Sequence, residues 1–471
     1  MGVGRRLLPQ AKDGRMNARF VNLVDGARTY IAHVKVDPNF SQAALAETRG
    51  ARKELAYGAM RDAEDVTSRT LVPKLEQLKS QGLLSSYELV KGTGAMILNV
   101  PESKAGAAYD ALQGVAELGR IVRNREVVLD DTVVGTTPRP TAPTTEWNVA
   151  KLGVQKLWEQ GVNGKGVVVG FVDTGANTTH EALKDHYRGT NADGTQSHAY
   201  NFYDPVNSKK DAYDDHSHGS HVAGTGVGGT ADHLTGMAPG AKFISAKVFT
   251  AGGSGNTATI LKGLAWMLAP TDTDGNNADP TKAPDIVSNS WGNSNGASLN
   301  YVDAWKAFEA AGIIPVVAAG NSGPGGNTIG APGSYASSIT IGATDPNDSV
   351  ASFSSRGPSR IKGPDGSFIP KPDVSAPGVN VVSAGKSGNQ YVTMSGTSMA
   401  TPAAAGVIAL LLSKYPNLKA EQVRELLSKS AVDIAAAGRD NDSGWGRIDP
   451  AAALALADKL YGAPAQPVAA R

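Results

Sequence analysis

The stretch Gly396-Thr397-Ser398-Met399-Ala400-Thr401-Pro402-Ala403-Ala404-Ala405-Gly406-Val407-Ile408-Ala409-Leu410-Leu411-Leu412 sets one serine among small residues and then runs into a segment with no polar face. A helix that is apolar on every side belongs in a core. Gly396 allows a sharp entry, and Pro402 is expected in the first turn, where a missing N–H is tolerated. Ser398 would then have its backbone N–H in the positive end of a buried helix. That position suits a nucleophile, and it suits a capping serine equally well. Partners elsewhere in the chain must decide between the two.

Two candidate partners lie upstream. Val167-Val168-Val169-Gly170-Phe171-Val172-Asp173-Thr174-Gly175 is apolar throughout, as a parallel strand buried on both faces is, and ends in a carboxylate and a glycine turn. Functional groups of an open α/β sheet gather at the carboxyl ends of its strands. The second segment is Asp214-Asp215-His216-Ser217-His218-Gly219-Ser220-His221-Val222-Ala223-Gly224, in which small residues after His218 let a helix start close to its neighbours. A nucleophile, a base and an acid to orient the base are therefore all available. Asp214, His216, His218 and His221 could alternatively be ligands of a zinc ion. Against zinc, there is no His-Glu-x-x-His pattern and nothing else in the chain depends on a metal. Gly164-Lys165-Gly166 precedes its strand, whereas a dinucleotide loop follows one.

Val172-Asp173-Thr174-Gly175, His218-Gly219-Ser220-His221-Val222-Ala223-Gly224 and Gly396-Thr397-Ser398-Met399-Ala400 resemble the three signature segments of the subtilisin-like serine proteases, in that family's Asp, His, Ser order. The likeness runs from about Trp147 to about Ala453; Ser220 stands where the family commonly has Thr. The resemblance implies a serine endopeptidase working through an acyl-enzyme, with Ser398 as nucleophile, His218 as general base and then acid, and Asp173 holding the imidazole. Asn321, in Val316-Val317-Ala318-Ala319-Gly320-Asn321, would supply the side-chain oxyanion donor and the Ser398 N–H the second. Without the resemblance Asn321 reads as a turn residue. Ser290, Trp291 and Gly292 would pair with the substrate backbone, and Gly320, Gly330 and Gly333 would wall an uncharged pocket for large apolar or aromatic side chains. Trp291 would narrow the cleft, or simply pack in the sheet.

The family needs no cofactor for its chemistry. Structural calcium is common in it, but the position that usually carries an acid here falls near Ala182, beside Glu181. Asp272, Asp274 and Asp279 surround a glycine turn and are the candidate calcium ligands, with a solvated acidic loop as the other reading. An inactive binding protein on the same fold and an exopeptidase are the alternative functions. All four catalytic positions are intact, and no insertion reads as blocking one end of a cleft.

The 471 residues are 41% hydrophobic and 19% charged, enough for two or three domains with ordinary interiors. A net charge of +1 gives no electrostatic reason to bind nucleic acid or an acidic membrane. Without cysteine there is neither a disulfide nor a thiol nucleophile. No apolar run reaches 18 residues, so no membrane span is expected. Met1 to Gln10 lacks an apolar stretch, so a secretion signal is either absent or removed.

A doubly wound, mostly parallel α/β domain is expected over 147–460, with strands near 167–173, 242–249, 285–291, 313–319 and 338–343. Residues 1–131 form a separate unit, of which about 28–131 reads as β (29–36), α (64–81), β (86–90), β (95–100), α (104–118), β (121–129). That is the ferredoxin-like order, and it resembles the subtilase propeptide, which serves as chaperone and inhibitor of its own enzyme. A Pro/Thr-rich extended linker over 132–146 would carry the processing bond, and 461–471 reads as a disordered tail or a stub leading to a further domain. Protein and peptide substrates, secretion and a monomeric state complete the expectation.

Overall fold

The computed structural model describes residues 29–130 and 132–462. The tail expected over 461–471 therefore lies almost wholly outside the described residues, as does the N-terminal segment before Thr29. The chain forms two compact units, one made of residues up to Asp37 with Ala63–Val90 and Gly94–Asn124, the other of Pro38–Asp62, Lys91–Thr93 and everything from Arg125 on.

The first unit has the predicted element order. Strand β1 (Thr29–Val34) is followed by helix α1 (Arg49–Ser80), β2 (Ser86–Val90), β3 (Ala95–Asn99), α2 (Ala105–Gln113) and β4 (Leu118–Arg123). Its sheet order is β2-β3-β1-β4, with antiparallel pairs throughout. Leu71, Leu75 and Leu78 recur on one face of α1 and close over Tyr30, Leu98 and Ile121. Two boundaries differ from expectation. Helix α2 stops before Gly114 instead of reaching Leu118, and the single strand predicted over 121–129 breaks after Arg123.

Helix α1 also begins at Arg49, well before the predicted Glu64, and its Arg49–Asp62 part belongs to the second unit. The reason is electrostatic. Two inward positions are Arg52 and Lys53, so the sequence shows no apolar stripe there. Lys53 Nζ donates to Asp285 Oδ1 and to the Ala283 carbonyl, each at 2.8 Å, while Arg49 lies 3.1 Å from the same carboxylate oxygen. Asp285 Oδ2 accepts from the Val168 N–H at 3.0 Å. Burial lowers the Lys53 pKa and the Asp285 charge opposes the shift.

In the second unit β5 (Glu126–Val128), β6 (Thr132–Thr137) and β7 (Thr144–Thr145) precede β8 (Val168–Asp173), β9 (Phe202–Tyr203), α3 (His218–Val227) and β10 (His233–Leu234). Next come β11 (Lys242–Lys247), β12 (Ser254–Asn256), α4 (Thr257–Leu268), β13 (Ile286–Asn289), α5 (Val302–Ala311) and β14 (Ile314–Ala318). The chain closes with β15 (Ile339–Thr344), β16 (Val374–Pro377), β17 (Val381–Ala384), β18 (Tyr391–Ser395), α6 (Thr397–Lys414), α7 (Ala420–Ser430) and α8 (Pro450–Tyr461). The main sheet runs β16-β15-β14-β13-β8-β11-β9 and every pairing in it is parallel. Its apolar runs are buried between helices on both faces, the doubly wound arrangement.

Helix α6 threads this core, with Thr397 through Leu412 all buried. Among the described residues it is the one helix long and apolar enough to cross a membrane, and its burial gives that composition a core role instead. Within residues 132–146 only Thr132–Thr137 and Thr144–Thr145 are strand, and the segment is held rather than loose. Strand β6 pairs antiparallel with β18, β7 pairs parallel with β10, and Arg139 bridges Glu181 and Asp232.

Candidate active site

Ser398, His218 and Asp173 all come from the ends of elements. Asp173 is the last residue of β8 and His218 the first of α3. His218 Nδ1 donates to Asp173 Oδ1 at 2.7 Å, with both side chains at 2% exposure or less. The carboxylate thus favours the tautomer that carries its proton on Nδ1. The turn after Asp173 is tight. Gly175 has φ +106°, and a Cβ there would fall 2.1 Å from the Tyr213 carbonyl; one on Gly219 would fall 2.0 Å from the Gly175 carbonyl. Glycine at both positions lets the carboxylate strand and the imidazole helix meet.

Asp214, by sequence only a metal candidate, organises this junction. Its Oδ1 accepts from Thr174 Oγ1, His216 N and Ser217 N, and its Oδ2 from Ser220 N and Oγ, all between 2.7 and 3.1 Å. Thr174 Oγ1 in turn accepts from Gly219 N at 2.8 Å. The network holds Ser217 at φ +97°, an unfavourable conformation for a residue with a Cβ. His221 Nε2 donates to the Val381 carbonyl, and among the described residues these four do not converge as a metal site. Lys247, fully buried in β11, donates to the Thr174 and Phe249 carbonyls, each at 2.9 Å, and pairs with Asp215. Neither support was visible in sequence, because Asp214 in its polar stretch looks like a surface residue and Lys247 in its apolar strand shows nothing of the carbonyls it will meet.

Ser398 is the second residue of α6, and Pro402 lies one turn further than predicted. Gly396 is extended, with φ 168°, so its role is not to supply a left-handed turn. Pro402 has no N–H to give the Ser398 carbonyl four residues back. The Ser290 hydroxyl supplies it instead at 2.8 Å, while Ser398 Oγ donates to the Ser290 carbonyl at 3.0 Å. This reciprocal pair ties the nucleophile candidate to the end of β13. On the other side, Asn321 Oδ1 accepts from both the N and Oγ1 of Thr397 at 2.9 Å, which fixes the amide orientation. Asn321 Nδ2 then donates to Asp130 Oδ1 at 3.2 Å.

A cleft of about 270 Å³ is lined by Ser398, Asn321, Ser290, Trp291, Gly292, Gly320 and Gly330 together with Glu126 to Asp130. Gly333 is not in its wall; a Cβ there would face the Ala318 carbonyl behind it. Trp291 borders the cleft and packs edge-on against Tyr301, ring centres 5.3 Å apart. Strand β5 lies antiparallel on β12, with Val128 opposite Ser254 and Leu129 N donating to the Gly253 carbonyl.

The proposed calcium ligands are already committed. Asp272 accepts from the N–H groups of Asp274 and Asn276 and from Asn277 Nδ2, Asp274 pairs with Lys210, and Asp279 caps Thr281. Among the described residues no three acidic or histidine groups converge as a metal site. Glu181 is taken by Arg139 at 2.7 Å. EDTA is therefore expected to change the melting temperature by less than about 2 °C, the effect of under 1 kcal/mol in a domain of this size. A larger loss that survives in an Asp272→Asn, Asp274→Asn variant would mean that calcium is held elsewhere.

A family model, the subtilase family, matches residues 164–446. Bacillopeptidase F of Bacillus subtilis (strain 168) is 40% identical over 294 residues, 61% of this chain, though the match spans only 20% of that protein's length. Serine protease AprX of the same organism is 37% identical over 358 residues, 69% of this chain and 72% of its own. Subtilisin DY of Bacillus licheniformis is 36% identical over 298 residues, 62% of this chain and 93% of its own. A parallel sheet carrying the aspartate, histidine and serine segments at its element ends, and a family match over more than half of the length, lead to one conclusion: the chain belongs to the subtilase family.

Proposed function

We propose that this chain is the self-processing precursor of a serine endopeptidase. Ser398 attacks the scissile carbonyl as His218 takes its proton, Asp173 stabilises the imidazolium, and the Asn321 amide with the Ser398 N–H receives the oxyanion. One observation carries the reading. The chain's own residues Glu126–Val128 lie as an added strand on β12 and lead to Asp130, which sits against Asn321 in the cleft that Ser398 lines. Residues from Thr132 continue past the site on β18. A chain that enters and leaves the cleft in this way supports endopeptidase over exopeptidase action, and the intact Asp173–His218 pair argues against an inactive binding protein. Uncharged walls at Ala318, Gly320 and Gly330 favour apolar or aromatic side chains before the scissile bond. Residues up to about Asp131 act as chaperone and inhibitor, and a precursor whose own segment fills the cleft suits export before activity.

A time course should show the precursor disappearing before casein hydrolysis rises, because the cleaved segment makes the same backbone pairs as substrate. A polypeptide ending near Asp131, added in trans, should inhibit competitively. Its Lys53→Ala form should be weaker by about thirtyfold, the result of losing about 2 kcal/mol from a buried charge pair. Hydrolysis that rises in step with cleavage, or a segment that fails to compete with substrate, would remove the inhibitor role.

A further inference from the structure

Strand β6 is the third member of the sheet β17-β18-β6, and its register is long for a segment so close to a reactive serine. Thr132 pairs with Ser395, Val133 with Met394, Gly135 with Thr393, Thr136 with Val392 and Thr137 with Tyr391, with an irregularity at Thr393/Met394. Thr137 Oγ1 and Thr393 Oγ1 share a hydrogen bond of 2.5 Å. Strand β18 leads through Gly396 and Thr397 directly into Ser398. Asp130, on the other side of the site, is at Asn321. The β18 edge is therefore where a chain lies after it has passed the serine, on the leaving-group side of the bond to be cut.

The segment beyond β6 is tied to the body of the enzyme independently of β6. One residue after Thr137, Pro138 has a fixed φ, and then Arg139 bridges Glu181 at 2.7 Å and Asp232 at 3.2 Å. Thr144 N donates to the Asp232 carbonyl and Glu146 N to the Leu234 carbonyl. His233 Nε2 meets Glu146 Oε1 at 2.7 Å, and Trp147 Nε1 donates to the Asn380 carbonyl beside β17. Cutting the chain near residue 131 frees one end of β6 and leaves the other held.

We infer that residues 132–137 stay on β18 after processing, so that the mature enzyme carries its own new N-terminal strand on the leaving-group side of its cleft and protein substrates must displace it. The inference rests on self-processing by this chain. A strand tethered through one or two residues sits at an effective concentration on the order of millimolar, so a substrate at tens of micromolar competes poorly for the same edge. The platform pairs through backbone groups and so is tolerant of sequence; it discriminates by how much chain follows the cut bond. An acyl p-nitroanilide, whose leaving group is one aromatic amine with no chain beyond it, does not meet the tethered strand. A peptide with six residues beyond it does.

The test uses the full chain, allowed to process itself. Hydrogen exchange followed by mass spectrometry should show residues 132–137 and 391–395 protected both before and after cleavage, and N-terminal sequencing should find a mature chain starting before Thr137. In a Thr136→Pro variant, kcat/KM on an internally quenched peptide with six residues after the cut should rise roughly tenfold or more, with the p-nitroanilide rate unchanged. Loss of protection in both segments on cleavage, a mature chain starting beyond Thr137, or equal changes on the two substrates would each overturn the inference. Should the variant not fold, the exchange data on the unaltered chain decide the matter. Cleavage and casein hydrolysis without retained protection defeat this inference alone, whereas a chain that never cleaves itself defeats the proposed function and this with it.

Discussion

Replacing Ser398 with Ala is expected to leave the full-length chain uncut on a gel and to lower casein hydrolysis by about 10⁶ in kcat, the size of the effect for the nucleophile of subtilisin. The loss is so large because neither His218 nor the oxyanion donors can form a covalent intermediate without the hydroxyl. Stability should change far less. Ser398 Oγ donates to the Ser290 carbonyl, and the Ser290 hydroxyl still satisfies the Ser398 carbonyl, so the loss is about 1 kcal/mol. A serine-reactive phosphonate should label Ser398 in the unaltered enzyme and nothing in the variant. Normal processing in the variant, or label on another residue, would mean that a different group does the cutting.

Asn321→Leu is expected to lower kcat by about 10² to 10³ with KM little altered, the consequence of removing one oxyanion-hole donor from a subtilisin-type site. The split is diagnostic because the donor acts on charge that exists only in the transition state. Asn321 has a second job, since its Oδ1 accepts from Thr397 N and Oγ1. Leucine leaves that N–H unpaired, which should lower stability by about 1 to 3 kcal/mol. A thermal melt separates the two effects, and Asn321→Asp keeps the acceptor while removing the donor. Unchanged kcat in a folded Asn321→Leu enzyme would take Asn321 out of the chemistry.

Several features were legible because they are written in short, local patterns. Apolar runs such as Val167–Val172 and Ile313–Ala319 read as strands buried on both faces, and they are joined through Ile286–Asn289 in the sheet. The leucine spacing of Leu71, Leu75 and Leu78 marks a helix in any context. The all-apolar run after Ser398 marks a core helix, and its residues lie in the main core. Other elements gave no such signal. Val374-Ser375-Ala376-Pro377 contains small residues and a proline and reads as a loop, yet it forms the edge of the parallel sheet by pairing with β15. Phe202–Tyr203 is too short to show a period. Residues 49–62 carry charge on their buried side because Asp285, 232 residues beyond Lys53 in sequence, supplies the counter-charge. The surroundings of Gly333 and of the Asp272 loop were equally hidden in sequence, since which oxygen or carbonyl faces a residue is decided by its neighbours in space.

The parallel α/β domain and the element order of the first unit were readable from hydrophobic period, and the motif resemblance gave the family and named Asp173, His218, Asn321 and Ser398 as candidates, because period and motif are properties of adjacent residues. Only the tertiary fold settled that Asp214 and Lys247 brace the aspartate turn, that Ser290 takes over the hydrogen bond Pro402 cannot make, and that residues 126–128 and 132–137 occupy strands on either side of the serine. Each of these depends on a buried polar group finding its partner across the fold. Such a partner is fixed only when the sheet and helices have brought distant segments within about 3 Å of one another, the range over which a hydrogen bond exists.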